Sequence, residues 1–399
     1  MWAMWAMCHS WNNNWPMTAL YSQPIAPSQK TQQLVLLGAG HAHLQVLAQL
    51  AAQPLPGTMV TLVSPSQRLV YCDMVPGFVA GHYPIESCVI PLKPLIQRSG
   101  IRWTECGVVS LNAQKQLIQL DDGTTLPFDW LSVNTDLVQD RGRIERDMPG
   151  AREHGLFIRP MEAFSALWPR VVEMGEARAL RIAVIGAGTA GIELALAARH
   201  RLPNSAVTLV CGKEPPGAVY SAKTQQRLLA VLKKHKVTVL QDVAVSVKAG
   251  SVQLGCGADL ACDVPVLAMG AQAPQWSAGS GLALDGEGFL AVDMYQRSTS
   301  HSRVFAVGDV STRMDRPLAR SGNYAVRAGA ALAHNLSAAV AGSALRPHQP
   351  PAATLNLLSC GGHYAVATWG SFSAQGWWVW LLKNWIDRRF VARFTRPSV

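Results

Sequence analysis

No C-x-x-C pair occurs in the chain. Its eight cysteines, Cys8, Cys72, Cys88, Cys106, Cys211, Cys256, Cys262 and Cys360, are dispersed. This excludes a zinc ribbon and a thioredoxin-like dithiol and suits a reducing compartment. No Lys or Arg precedes Lys30, so a secretory leader, which needs positive charge ahead of its apolar core, is not expected. No apolar run approaches the roughly 18 to 20 residues of a membrane-spanning helix. The net charge is +10, yet no run of five Lys and Arg and no nucleic-acid module is present. A nucleic-acid partner is therefore not expected. Charged residues are scarce at 15% against 49% hydrophobic, which is a globular and not a disordered composition. The 399 residues leave room for two or three domains.

Residues 1–30 begin MWAMWAMCHSWNNNWP, without periodicity. They read as a disordered extension or an upstream start, with Met17 a later candidate start. Beyond them, Leu34 to Leu37 is a short apolar run ending at a glycine turn, Leu44 to Ala51 is amphipathic, and Met59 to Val63 reads as a second buried strand. The order recurs: strand Arg181 to Ile185, turn Gly186 to Gly191, helix Ile192 to Arg199, strand Val207 to Val210. Gly186 stands 148 positions after Gly38. Segments around Asp122-Gly123 and Gly286 read as β-meanders or hairpins. The fold class expected is α/β, with two Rossmann-like dinucleotide-binding domains, β-meander crossovers and a C-terminal α+β tail. The first such domain covers 31–150 and 273–345, the second 151–272, and the tail 346–399.

Gly186-Ala-Gly188-Thr-Ala-Gly191 follows a strand and opens a helix. The first glycine allows the tight turn, the second lets a pyrophosphate approach the backbone, and the third lets helix and strand pack closely. The first copy is imperfect: Gly38-Ala-Gly40-His41-Ala-His43 has His43 at the third position. No other ligand cluster accompanies His41 and His43, so no metal is expected and a structural or flavin-edge role is more economical. Late in the chain, Gly308-Asp309 follows a buried strand. In two-domain flavoproteins such an Asp hydrogen-bonds the flavin ribityl chain. The cofactors expected are FAD on the first unit and NAD(P)H on the second. Ala268-Met269-Gly270 suits a small-residue crossover between the two domains.

These motifs carry a resemblance. Gly38 to Leu47, Tyr71-Cys-Asp-Met-Val-Pro-Gly77 with Ala80-Gly-His-Tyr83, Gly308-Asp309, Ser321 to Arg327, Asn356 to Ser359 and Trp385 to Phe390 occur in this order. Over roughly residues 33–394 the chain resembles the NADH dehydrogenase-like FAD/NAD(P)-binding family, including the flavoprotein half found fused to selenide, water dikinase. It is similar, more distantly, to type II NADH dehydrogenases. The resemblance implies hydride transfer from NAD(P)H to FAD and onward to an acceptor. It makes His43 a family trait, places Gly270 and Tyr324 among the cofactor-binding residues, and puts Tyr71 to Gly77 in a loop by the flavin, with Tyr71 and Cys72 as candidate catalytic residues. Glu193, two residues after Gly191, is implied to lie close to the nicotinamide, orienting it or relaying a proton.

Some positions depart from the pattern. Gly322 to Gly329 lacks the Ala-Gln-rich signature that type II enzymes carry near the quinone, so the acceptor, a quinone among the choices, stays open. Cys211-Gly-Lys213 lacks the acid that binds a ribose 2′-hydroxyl, and Lys213 brings in NADPH beside NADH. Cys72 lies where disulfide reductases carry a cysteine pair and peroxide-reducing relatives a single one. A lone-cysteine peroxide or small-disulfide reductase is therefore an alternative, as is a redox sensor or partner-binding module without turnover. The tail 376–394 is rich in Trp, Phe, Lys and Arg, with Leu382, Ile386, Phe390 and Phe394 at four-residue spacing. It is read as a cap over the flavin site, a homodimer contact or a peripheral membrane contact. The location expected is the cytoplasm, free or peripheral on the cytoplasmic face of a membrane.

Overall fold

The computed structural model describes residues 31–269, 272–316, 322–351 and 353–395. The extension at 1–30 and Gly270 lie outside the described residues. Two five-stranded parallel sheets organise the chain. In the first, the central strand Gln32–Leu37 lies between Thr58–Val63 and Trp130–Val133, with Arg102–Thr104 and Val304–Ala306 at the edges. In the second, Arg181–Ile185 lies between Ala206–Val210 and Val264–Leu267, with Thr238–Leu240 and Leu156–Phe157 at the edges. Helices cover such sheets on both faces, so the strands are apolar without alternation: Leu34, Val35, Leu36 and Leu37 are all buried.

The two units are built alike. In each, a glycine turn leads from the central strand into a helix, His41–Ala52 or Thr189–Arg201. In each, a three-stranded antiparallel meander then precedes the return to the sheet. These meanders are Val108–Asn112, Leu117–Leu120, Thr125–Pro127 and Ala244–Lys248, Ser251–Leu254, Asp259–Ala261. The meander expected around Asp122 is present. Around Gly286 a tight turn is closed by the antiparallel Leu284–Leu290 bridge, a minimal hairpin. The second helix begins at Thr189, inside the glycine motif, which puts Gly191 in its first turn. The two crossover segments between units run side by side, with Val138 bridged to Gln272. Gln139 pins them by donating to the Leu267 carbonyl and accepting the Arg159 amide, each at 2.8 Å.

The segment expected as a loop from Tyr71 to Gly77 is helical: a 3₁₀ turn, Cys72–Met74, runs into the short helix Val75–Val79. Pro76 sits in its first turn, where its missing N–H costs nothing. The C-terminal part is a three-stranded antiparallel sheet, Leu355–Ser359, Ala365–Trp369 and Phe372–Gly376, followed by the helix Trp377–Thr395. The inward face of that helix is Val379, Lys383, Asp387, Val391 and Phe394. This corrects the expected face. Leu382 is exposed and Ile386 only half-buried, because the buried stripe carries an ion pair and the outward face carries the tryptophans.

Candidate functional site

Parallel sheets bind ligands at the carboxyl ends of their strands, beside the strand where the order reverses. Gly38 is there in the first unit, with φ +88°, and Gly186 in the second, with φ +113°. A Cβ at Gly38 would stand 2.5 Å from the Asn134 carbonyl, and one at Gly186 2.5 Å from that of Ala268. A Cβ at Gly191 would run into the Gly186 carbonyl, whereas at Gly188 it would meet nothing within 4 Å. The second unit therefore keeps an open cradle at its second glycine. In the first unit the equivalent Gly40 is closed off, because a Cβ there would meet Asn134 at 2.6 Å.

Asn134 follows the strand Trp130–Val133 and was not foreseen. Its Oδ1 accepts the amides of Ala42 (3.0 Å) and His43 (3.1 Å), and its Nδ2 donates to the Val307 carbonyl at 2.9 Å. It thus joins the start of the first helix to the strand that delivers Gly308-Asp309. His43 fills the third-glycine position with its ring fully buried. One ring nitrogen pairs with the Gly38 carbonyl (2.5 Å) and the other with Ser132 Oγ (2.8 Å). Burial lowers its pKa to about 4, so it stays neutral and braces the turn from behind.

From Gly38 and Gly40 a cleft runs through three adjoining cavities. The first, about 780 Å³, lies over the glycine turn and the end of the second strand at Ser64 to Ser66. The second, about 30 Å³, is lined by Gly40, His41, Thr135, Asp136, Arg159 and Asp309 among others. The third, about 330 Å³, lies between the units, under the C-terminal sheet and helix. Arg159 lines all three. Three buried polar atoms of the second cavity's walls have no partner: His41 Nε2, Thr135 Oγ1 and Asp309 Oδ1. Unpaired buried polar groups cost about 1–3 kcal/mol each, so their convergence marks a polar ligand. An elongated dinucleotide that enters at a glycine turn and ends between the domains fits this cleft, and FAD has that shape. Burial raises the Asp309 carboxyl against the pull of Arg159.

The third cavity holds the remaining chemistry. Glu193, on the second unit's helix, is buried; burial pushes its carboxyl up to about 7, against the pull of Lys383 and of the Ser359 amide. Its Oε1 accepts the Ser359 N–H at 2.7 Å. Across the cavity, Lys383 Nζ donates to Asp387 Oδ2 and to the Asp73 carbonyl, each at 2.7 Å. Burial alone would lower this ammonium, but Asp387, Asp73 and Glu193 outweigh it and hold Lys383 above its ordinary value. Burial raises Asp387 in turn, and Lys383 pulls it back. Cys72 lines the second and third cavities, and burial beside Asp73 pushes its thiol well up, so it keeps its proton. Tyr71 is buried, donates to Asp73 Oδ2 at 3.1 Å and stacks on Phe390 of the C-terminal helix.

The structure thus brings Gly38, Gly40, His41, Cys72, Asp309 and Glu193 to one cleft, with Tyr71 behind it and Gly308 packed against Asn134 and Ala325. Gly186, Gly188 and Gly191 form the second cradle. Lys213 is exposed beyond the strand Ala206–Val210, its carbonyl held by Gln241. From the helix Gly322–Val340, Ala325 and Arg327 line the cavities, whereas Tyr324 is half-buried and lines none of the three. Asn134, Arg159, Lys383 and Asp387 were not singled out for the site. The one signal for the last two is a Lys and an Asp at i, i+4 within an aromatic helix.

A cleft that starts at the first glycine turn and ends against Thr189, Ala190 and Glu193 of the second unit's helix defines a nucleotide-binding protein of two units. A sequence model of the pyridine nucleotide-disulphide oxidoreductase family matches residues 32–332. The chain belongs to that family and is an FAD-dependent NAD(P)H oxidoreductase. It is 26% identical over 294 residues to the probable ferredoxin reductase CtmF of Castellaniella defragrans, covering 71% of this chain and 68% of that one. It is 23% identical to ferroptosis suppressor protein 1 of Xenopus laevis, covering 86% and 90%. Among solved structures, the sulfide:quinone oxidoreductase of Aquifex aeolicus superposes with a TM-score of 0.74 at 15% identity, covering 91% of each chain. That last likeness concerns the fold.

Proposed function

We propose that this reductase passes electrons from NAD(P)H to a quinone taken up from a membrane interface. One observation carries the reading: the elements that close the third cavity also carry an exposed aromatic patch. Leu355, Leu357, Ile386 and Pro76 give the cavity apolar walls. On the outer side of the same sheet and helix, Trp369, Phe372, Trp377, Trp378, Leu381 and Trp385 are exposed, Trp377 by 66% and Phe372 by 60%. A patch of this kind marks an interaction site, and Arg388, Arg389 and Arg393 further along the helix suit anionic headgroups. No helix among the described residues is long and apolar enough to cross a membrane, so contact would be peripheral.

When bound, FAD supplies hydride acceptance and onward electron transfer. The chain's own residues shape the rest. The open cradle at Gly188 admits the NAD(P)H pyrophosphate, and the helix behind it presents Glu193. Overall, NAD(P)H, one proton and a quinone give NAD(P)⁺ and a quinol. The proton has to reach the third cavity, and Glu193, half protonated near neutrality, and the Lys383–Asp387 pair can hold it there. Cys72 is left out, since a protonated thiol is a poor nucleophile.

CtmF and the sulfide:quinone oxidoreductase differ in acceptor, so the test compares acceptors. Anaerobic turnover with NADH or NADPH should reduce a short-chain ubiquinone, and Glu193→Gln should slow that step more than it slows flavin bleaching. Reduction of a ferredoxin with no quinone turnover would replace this reading.

A further inference from the structure

The first four N–H groups of a helix have no partner within it, and an open helix start offers them to an anion. The helix His41–Ala52 has spent part of that supply. Asn134 Oδ1 takes the amides of Ala42 and His43. Gly40 itself donates to the Asn134 carbonyl at 3.0 Å. A phosphate approaching this helix start therefore meets fewer donors than a dinucleotide fold ordinarily provides.

The His41 side chain stands at this position. It is 7% exposed, lines the small cavity beside Asp309 and Thr135, and its Nε2 has no partner. Its ring is held in place by aromatic neighbours, edge-on to Tyr71 with centroids 5.3 Å apart and tilted against Phe390 at 6.0 Å. A ring so wedged has little rotamer freedom left to lose on binding, which makes it a preorganised donor. His43, two residues on, has both ring nitrogens occupied and faces the sheet, so the two histidines do different jobs.

We infer that His41 is a cofactor-binding residue whose Nε2–H donates to an oxygen of the ribityl-diphosphate part of FAD, replacing helix amides that Asn134 has consumed. The inference rests on the FAD reading and deepens it. It also accounts for an imidazole at a position where a dinucleotide fold otherwise relies on backbone.

The test is titration of flavin-stripped protein with FAD, followed by flavin fluorescence, with no turnover involved. His41→Phe keeps a ring against Tyr71 and Phe390 but has no donor, and should raise the Kd roughly tenfold. His41→Gln restores an N–H donor and should stay within about threefold of the wild type. If His41→Phe does not fold, His41→Met takes its place as the variant without a donor. Equal FAD affinity in the wild type and the donor-free variant would make His41 a packing residue and overturn the inference. Equal weakening in His41→Gln would overturn it too. A wild type that binds no FAD would instead sink the cofactor reading beneath it.

Discussion

Glu193 Oε1 accepts the backbone N–H of Ser359 at 2.7 Å, so a single carboxylate ties the helix Thr189–Arg201 to the C-terminal sheet. The bond favours the charged form, yet burial wins and the carboxyl sits at about 7. A carboxyl raised from 4.5 in the unfolded chain to about 7 in the folded one favours folding in its protonated form. That contribution is full below about pH 4.5 and is lost as pH rises through 7, to a limit of roughly 3 kcal/mol. Glu193→Gln keeps an acceptor for Ser359 and cannot ionise. Urea unfolding at pH 5 and pH 8 should show the wild type losing stability relative to the variant across that window; parallel pH profiles would contradict the assigned burial.

Asn134→Ala would leave the Ala42 and His43 amides and the Val307 carbonyl without their present partner. Loss of such buried bonds is expected to cost about 3 kcal/mol in denaturant unfolding. FAD retention should fall as well, because the same side chain holds the first helix against the strand leading to Asp309. A variant as stable as the wild type would mean that water replaces the amide.

Lys383 and Asp387 should behave as a unit. Removing one charge of a buried pair leaves the other uncompensated and typically costs about 3–5 kcal/mol, whereas replacing both with apolar groups of similar volume is nearly neutral. Lys383→Met and Asp387→Leu should each destabilise strongly, and the double variant should recover much of the loss. The recovered double variant should still reduce a quinone poorly if the pair delivers the proton. Additive losses in the cycle would show that the two side chains act separately.

The glycines of the second unit should part company. Gly188→Val has room for its side chain and should leave thermal unfolding within about 0.5 kcal/mol of the wild type, yet block flavin bleaching by NADH and NADPH alike. Gly186→Val meets both a left-handed backbone and the Ala268 carbonyl and should fail to fold stably. Dithionite should still bleach the Gly188→Val protein; retained NADPH reduction would move the coenzyme elsewhere.

The glycine turns, the buried strands and the late Gly308-Asp309 were legible in the sequence because each is a local requirement. A positive φ admits glycine, and a strand covered on both faces is apolar throughout. The Tyr71 to Gly77 segment misled because Pro and Gly suggest a turn, while Pro76 in a first helical turn is equally at ease there. The C-terminal helix misled for another reason. Its buried stripe contains Lys383 and Asp387, which pair with each other, and no hydrophobic period reports such a face.

Two dinucleotide folds, their order and the glycines that line their turns can be read from the residues alone, since those follow from backbone sterics over a few positions. The tertiary structure alone decided what stands around them. Asn134 lies more than ninety positions from the helix amides it caps, and Lys383 lies 310 from the Asp73 carbonyl it binds. The pKa of Glu193 depends on how deeply a sheet some 160 residues later covers it. Desolvation and long-range pairing are properties of the packed chain, and for that reason Asn134, Lys383 and Asp387 became visible only there.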